Sequence, residues 1–502
     1  MLRKIRITLA IIFWVGVTML FLDFSGTAQY YLAWMAKVQF LPAVLALNVG
    51  VVIGLVLLTL LFGRIYCSVI CPLGVMQDFI AWVSKRRFFR KNKKAKLANK
   101  YSYSPTKRVL RALVLLLFLV LMIAGLNSLA ILIAPYSAYG RISTNLMQPI
   151  YLWVNNGLAA IAEHYDSYMF YSVDVWMKSA FSLGIAVATL VIIGILAWRG
   201  GRTYCNTICP VGTVLGYVSH FSLFGPVFDE DKCNGCGLCA RNCKASCIDA
   251  KNHHVDMTRC VSCGDCMEVC SQRAVTFGNR LKTSKTPKEA KDVEVSQDRR
   301  AFMKGLAIVG TGVTIDAVAK TVDGGLAVIE DKVNPERKTP ITPPGSLSAK
   351  HFAQHCTACQ LCIAACPNKV LRPSEDLEHL MQPVLEFDCG YCRPECNRCS
   401  QVCPTGAIRP ITIEERTAHQ VGHAVWVRKN CVILTDEVEC GNCARHCLTG
   451  AIEMMPLEDN DDIWVPMVNE EKCIGCGACE NLCPARPFSA IYVEGHETHR
   501  EI

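Results

Sequence analysis

No CxxCH motif occurs in this 502-residue sequence, and none of its 12 histidines lies inside a long apolar run. The first absence excludes covalently attached c-type haem. The second excludes the paired intramembrane histidines that would hold a b-type haem between helices, so no haem is expected. Charge is also scarce: charged residues make up 19% of the chain against 51% hydrophobic, and the mean hydropathy is +0.26. That balance argues against one soluble globule and for spans of membrane. The net charge of +9 does not mark a nucleic-acid binder, because much of the excess sits in one stretch between two apolar segments, Lys85 to Arg111. Such a stretch reads as a cytoplasmic loop.

Cysteine, by contrast, is abundant. Of 30 cysteines, 24 sort into six groups of four, most of them spaced CxxCxxCxxxC. Disulfide frameworks belong to small secreted domains and give no reason for repeated CxxC triplets. A zinc site would want CxxC pairs separated by a longer loop. Three closely spaced thiolates can instead grip three corners of one [4Fe–4S] cluster, while the fourth reaches a neighbouring cluster across the fold.

Four apolar stretches are long enough to cross a bilayer: Ile5 to Phe24, Phe40 to Phe62, Val109 to Ala134 and Ala180 to Trp198. Basic residues crowd the start (Arg3, Lys4, Arg6), the second connection and the exit of the fourth stretch (Arg199, Arg202). Both ends of this bundle are therefore expected on the cytoplasmic side of an inner membrane. The connection Pro135 to Lys178 is expected outside, as an interfacial segment carrying Glu163, His164 and Asp166. An internal repeat comes after the second and fourth stretches: GRIYCSVICPLG and GRTYCNTICPVG. Each copy places two thiols about one helical turn apart, Cys67 with Cys71 and Cys205 with Cys209. Buried packing of thiols at a bend is the plain alternative for one copy, but duplication favours a cofactor-binding role. The four could bind a further cluster, form a redox-active dithiol or shape a quinol pocket.

From Asp231 to Phe277 runs a dicluster module. Crossed ligation puts Cys233, Cys236, Cys239 and Cys270 on one [4Fe–4S] cluster and Cys260, Cys263, Cys266 and Cys243 on the other. Cys247 is a ninth thiol that could replace Cys243. A polar tether, Leu281 to Asp298, leads to Arg299, Arg300, Phe302, Met303 and Lys304, a twin-arginine-like run before a weakly apolar segment. An ordinary helix is the alternative there. Export predicts a fifth crossing at residues 303–319, with the Ala317 to Ala319 triplet as a potential cleavage site, and carries the remainder of the chain to the periplasmic side.

After a proline-rich spacer, Asn334 to Leu347, come four more groups. They are Cys356, Cys359, Cys362 and Cys366; Cys392, Cys396, Cys399 and Cys403, leaving Cys389 spare; Cys431, Cys440, Cys443 and Cys447; and Cys473, Cys476, Cys479 and Cys483. These imply four clusters, making six in all, or about 24 iron atoms at four per cubane. A nested exchange is expected, outer groups with one another and inner groups with one another. The PTGAI and LTGAI segments, Pro404 to Ile408 and Leu448 to Ile452, are turns whose small residues let backbone N–H groups approach cluster sulfurs.

The expected domains are residues 1–225 (four transmembrane helices with two CxxxCP motifs), 226–280 (dicluster ferredoxin), 281–350 (linker) and 351–502 (tetracluster ferredoxin). The fold class is an α-helical membrane bundle plus α+β bacterial-ferredoxin-like domains. Residues 1 to about 280 resemble NapH, and the twin-arginine-like stretch with the four groups after it resembles NapG, so the chain resembles a NapH–NapG type fusion. It also resembles NosR, MauM–MauN and CcoG-like proteins, in which related modules occur. The resemblance implies a quinol dehydrogenase-type component that takes electrons from the quinol pool and passes them to a reductase. The other class to weigh is a maturation factor that reduces a metal or disulfide for another enzyme. Asp78, Glu163 and His164 are candidate proton acceptors for quinol chemistry. No catalytic residue is assigned.

Overall fold

The computed structural model describes residues 2–85, 101–167, 169–280, 332–457 and 460–502. The tether, the twin-arginine-like run, the fifth crossing and most of the basic connection lie outside the described residues.

Six helices organise the N-terminal part: α1 (Leu2–Leu22), α2 (Val49–Phe62), α3 (Pro72–Lys85), α4 (Arg108–Ile123), α5 (Pro135–Ile142) and α6 (Ala180–Gly200). Only α1 and α6, at 21 residues each, are long and apolar enough to cross a membrane among the described residues. The second expected span is interrupted. Its first part forms the short helix Phe40–Leu45, Leu47 turns with φ 51°, and Asn48 restarts the chain by accepting a hydrogen bond from the Val51 N–H. The third ends at Ile123, because Gly125 turns with φ 80°, leaving α4 at 16 residues.

Part of the connection after α4 is packed inside the protein. Residues 134–145 are all buried, including the whole of α5, which packs against α3 and α6. Pro135 fits the first turn, where its missing N–H costs nothing, and Ser137, Ala138 and Gly140 are small enough for close approach. A π-helical turn, Ser143–Met147, then carries the chain into the helix Gln148–His164, whose last residues Glu163 and His164 are exposed.

The cysteine-rich segments fold as ferredoxin-like units. Each is built on a pair of short helices packed together: Leu238–Asn242 with Asp265–Val269, Leu361–Ala365 with Arg398–Val402, and Asn442–Arg445 with Ala478–Asn481. Two-stranded antiparallel sheets clamp them. Phe224–Phe228 pairs with Val275–Asn279 across the first unit, and His419–Trp426 pairs with Ile491–Glu501 across the last two.

These units sit at opposite ends of the long helices. At the start of α1, Arg3 pairs with Asp265 and Glu268 of the first unit; just past its end, the carbonyls of Phe24 and Ser25 accept from Arg398. On α6 the order is reversed. Ser182 near its start accepts from Gln360, while Arg202 just beyond its end takes the Lys244 carbonyl. At about 1.5 Å per residue, 21 residues separate the two ends by about 30 Å.

Candidate functional site: the thiol groups

Each CxxxCP copy follows a helix end, Cys67 after α2 and Cys205 after α6. The two copies lock through their arginines. Arg64 of the first donates to the Cys205 carbonyl of the second at 3.1 Å, and Arg202 of the second donates to the Cys67 carbonyl of the first at 2.7 Å. Gly74 and Gly212 make that approach feasible: a Cβ on either would lie 2.2 or 2.3 Å from the carbonyl oxygen it faces. All four thiols are buried, at 3–4% exposure. They also converge, since burial and then the charges of Cys205 and Cys67 push the Cys71 thiol up, and Cys209 rises for the same reasons.

Donors point at every sulfur. Arg64 reaches Cys67 Sγ at 3.8 Å, Gln77 reaches Cys205 Sγ at 3.2 Å, and the Gly212 N–H reaches Cys209 Sγ at 3.3 Å; the Gly74 N–H serves Cys71. Beside them Asp78 receives Arg6 at 3.2 Å, Arg202 at 2.7 Å and Lys244 at 2.9 Å. Burial works to raise the Asp78 carboxyl, but these three cations outweigh it and hold the group well below the usual carboxylate range. Asp78 is thus held as an anion among three cations, which disfavours it among the candidate proton acceptors.

In the first unit, Cys260, Cys263, Cys266 and Cys243 line one closed pocket, and Cys233, Cys236 and Cys239 gather separately, as crossed ligation requires. Cys247 lines the same pocket with its sulfur 3.5 Å from Cys243 Sγ.

In the C-terminal part the nested exchange is not what forms. Cys356, Cys359 and Cys362 share a pocket with Cys403, and Cys366 lies with Cys392, so the first group exchanges with the second. Cys431, Cys440 and Cys443 share a pocket with Cys483, while Cys447 joins Cys473 and Cys476, so the third exchanges with the fourth. The physical reason is local: each exchange needs two short helices to pack together, and neighbours in sequence do so with the least loop closure. The two halves meet where the Cys392 N–H donates to the Cys476 carbonyl at 2.9 Å. Cys389 stands apart, exposed, with Arg372 donating to its sulfur at 2.8 Å.

These groups fit iron–sulfur clusters better than zinc. A single zinc draws four sulfurs to about 3.8 Å apart through bonds of about 2.3 Å. Among the described residues, no cysteine cluster brings three sulfurs within 4.8 Å of one another; only Asp376, Glu378 and His379 bring three such ligand atoms that close. N–H groups also converge on the sulfurs: Ala358 on Cys356 at 3.4 Å, Ala490 on Cys483 at 3.4 Å and Arg416 on Cys392 at 3.3 Å. In LTGAI the Ala451 N–H reaches Cys447 Sγ at 3.1 Å, whereas in PTGAI the Ala407 N–H goes to the Thr405 hydroxyl.

The C-terminal unit is anchored to the helices through α5. A Cβ on Gly140 would lie 2.2 Å from the Cys359 carbonyl oxygen, so the two backbones touch. Neither this contact nor the crossed arginines can be read from the sequence, because the partners are far apart in the chain.

One histidine carries a pH signature. His499 sits between His419, at 3.0 Å, and Thr342, at 2.8 Å; burial, then His419 and His496, lower it to about 3. A histidine depressed from 6.5 contributes stability that is present above pH 6.5 and lost as pH falls towards 3. Acidifying from pH 7.5 to 5 should therefore destabilise the C-terminal unit by about 2 kcal/mol through this group. His499→Gln should flatten that slope in melting curves, and an unchanged slope would refute the assignment.

Comparison with known proteins agrees with this geometry. Residues 44–93 and 180–225, which hold the two CxxxCP copies, match a family described as 4Fe-4S binding domain, and residues 226–249 match another of that description. Residues 355–407 and 438–486 match a 4Fe-4S dicluster domain, two units that coincide with the observed exchange. The ferredoxin-type protein NapF of Escherichia coli is 31% identical over 156 residues, 31% of this chain and 87% of NapF. The methylamine utilization ferredoxin-type protein MauM of Methylobacillus flagellatus is 30% identical over 213 residues, 41% of this chain and 85% of MauM. An uncharacterized protein of Methanocaldococcus jannaschii, MJ0749, is 33% identical over 101 residues; the match spans 20% of this chain and 40% of that protein.

Proposed function

The chain belongs to the ferredoxin-type iron–sulfur electron-transfer proteins, and from that premise we propose that it is a membrane-embedded carrier of the NapH–NapG type. In this reading it takes electrons from quinol and hands them to a reductase. The observation that carries it is the placement of ferredoxin-like units at both ends of two apolar helices about 30 Å long, the thickness of a bilayer's hydrocarbon core. The bundle is completed by α2 and α4. Basic residues at the first unit's end, Arg3, Arg6, Arg199 and Arg202, favour the cytoplasmic side for that unit and the opposite side for the C-terminal one.

Six [4Fe–4S] clusters would be held by the crossed thiol sets: Cys233, Cys236, Cys239 and Cys270; Cys260, Cys263, Cys266 and Cys243; Cys356, Cys359, Cys362 and Cys403; Cys392, Cys396, Cys399 and Cys366; Cys431, Cys440, Cys443 and Cys483; Cys473, Cys476, Cys479 and Cys447. Such clusters change charge by one with little rearrangement, which suits them to pass single electrons. The protein's contribution is to hold the thiols, aim N–H groups at them and exclude water. Cys247, buried beside Cys243, stands ready to substitute for it.

Two measurements test this. A quinol analogue added to anaerobic protein should bleach the cluster absorbance, and failure to do so would remove quinol as donor. A membrane-impermeant reagent directed at the last fifty residues should label intact spheroplasts; labelling only after lysis would defeat the assigned sidedness.

A further inference from the structure

Arg64 is fully buried and makes no ion pair among the described residues. Its partners are the Asn206 side-chain oxygen at 2.9 Å, the carbonyls of Thr258 and Cys205, and Cys67 Sγ; its Nε has no partner. A buried guanidinium without a counter-charge is costly; Arg141 meets that cost with carbonyls alone, but Arg64 also reaches Cys67 Sγ, and negative charge on that sulfur would offset it. Around it Arg202 Nη2 and Gln77 Oε1 are likewise buried and unpartnered. The groups within reach that can carry negative charge are the four thiols, each of which already faces an N–H donor. Neutral thiols accept hydrogen bonds weakly, whereas metal-bound thiolates accept them well.

We propose that Cys67, Cys71, Cys205 and Cys209 together ligate one iron–sulfur centre shared between the two repeats, with Arg64 as its counter-charge. The inference rests on the reading of the chain as an iron–sulfur electron carrier and gives the paired motifs their ligand. The family match assigns an iron–sulfur binding domain to each copy; the geometry assigns one centre to the pair. Each copy supplies only two thiols, and each arginine crosses to the other copy's carbonyl. Four thiolates around a doubly positive core leave two negative charges, which Arg64, lacking any other anion, meets directly and Arg202, already paired with Asp78, meets only in part. The sulfurs stand too far apart for a single zinc. A dithiol or disulfide would leave Arg64 facing no anion.

The test uses the full-length chain, purified anaerobically in detergent, with iron, sulfide and zinc counted and EPR spectra recorded after dithionite. Replacing Cys67 and Cys205 together by serine should remove about two to four iron atoms and one EPR component while the ferredoxin-type signals persist. Arg64→Gln, which keeps every thiol, should shift that same component to lower potential, because a positive charge beside the centre is lost, and Arg64→Lys should restore it. An unchanged iron count and spectrum in the double serine variant would overturn the proposal. So would stoichiometric zinc that disappears with those thiols. If the double variant does not accumulate, an Arg64→Gln spectrum identical to wild type would overturn it instead. A chain that shows the extra centre but is not reduced by quinol would sink the quinol reading and leave this one standing.

Discussion

Replacing Gly140 by valine is expected to pry the C-terminal unit from the helices. The new Cβ would lie 2.2 Å from the Cys359 carbonyl oxygen and 3.1 Å from the Phe21 ring. Neither neighbour can yield, since one is backbone inside a cysteine loop and the other is a ring with no exposed surface, wedged against Tyr136 and Tyr139. Overpacking of this kind costs about 1–3 kcal/mol where side chains can adjust, and backbone contact places the site at the upper end, about 3 kcal/mol. The variant should melt earlier, expose the C-terminal unit to limited proteolysis and lose iron first from the pocket of Cys356, Cys359, Cys362 and Cys403. Gly157→Ala is the control. It lies within the helix Gln148–His164 with nothing within 4 Å of the added atom, so it should be neutral or stabilising by up to about 1 kcal/mol. Equal behaviour of the two variants would mean that the Gly140 contact does not hold the unit.

Spacing in the sequence is enough to find the thiols, because a CxxCxxC loop must wrap a cluster whatever surrounds it. It does not tell which fourth cysteine completes which set. That choice depends on which short helices pack, and Cys366 or Cys403 satisfies the same local pattern. The apolar runs are legible, but their breaks at Leu47 and Gly125 are not, since each falls within a stretch of high hydropathy. The burial of α5 is not legible either, since its Tyr136, Tyr139 and Arg141 are polar-tipped or charged residues. They are accommodated inside by specific partners: Tyr139 by the Thr18 hydroxyl at 2.5 Å and Arg141 by the carbonyls of Ile131 and Leu132. The repeat is visible, yet its crossed arginines are not, as Arg64 and Cys205 are neighbours only after folding.

The same distinction between chemistry and position decides what Asp78 does, and Asp78→Asn should be among the most damaging single changes in the chain. The carboxylate lies on α3 and gathers Arg6 from α1, Arg202 from the end of α6 and Lys244 from the first ferredoxin-like unit. Removing its charge while keeping its shape leaves Arg6 and Arg202 without an anion and Lys244 with only Asp265, at 3.4 Å, all three cations nearly or wholly buried. Breaking a buried ion pair in this way costs about 3–5 kcal/mol. The effect should be the same from pH 5 to 8. A carboxyl held below its ordinary value contributes stability that is present above its unfolded pKa of about 3.9, and that is lost only as pH falls further. A proton acceptor for quinol would instead change the pH dependence of quinol-driven reduction while leaving the melting temperature nearly intact. The second change in the cycle separates charge from packing. Arg6→Met in the Asp78→Asn background removes one of the stranded cations and should recover part of the lost stability, although the same substitution alone is destabilising. Denaturation of the four proteins at pH 7 gives the coupling directly, and a coupling of zero would refute the role of Asp78 as the anion that joins α1, α3, α6 and the first unit.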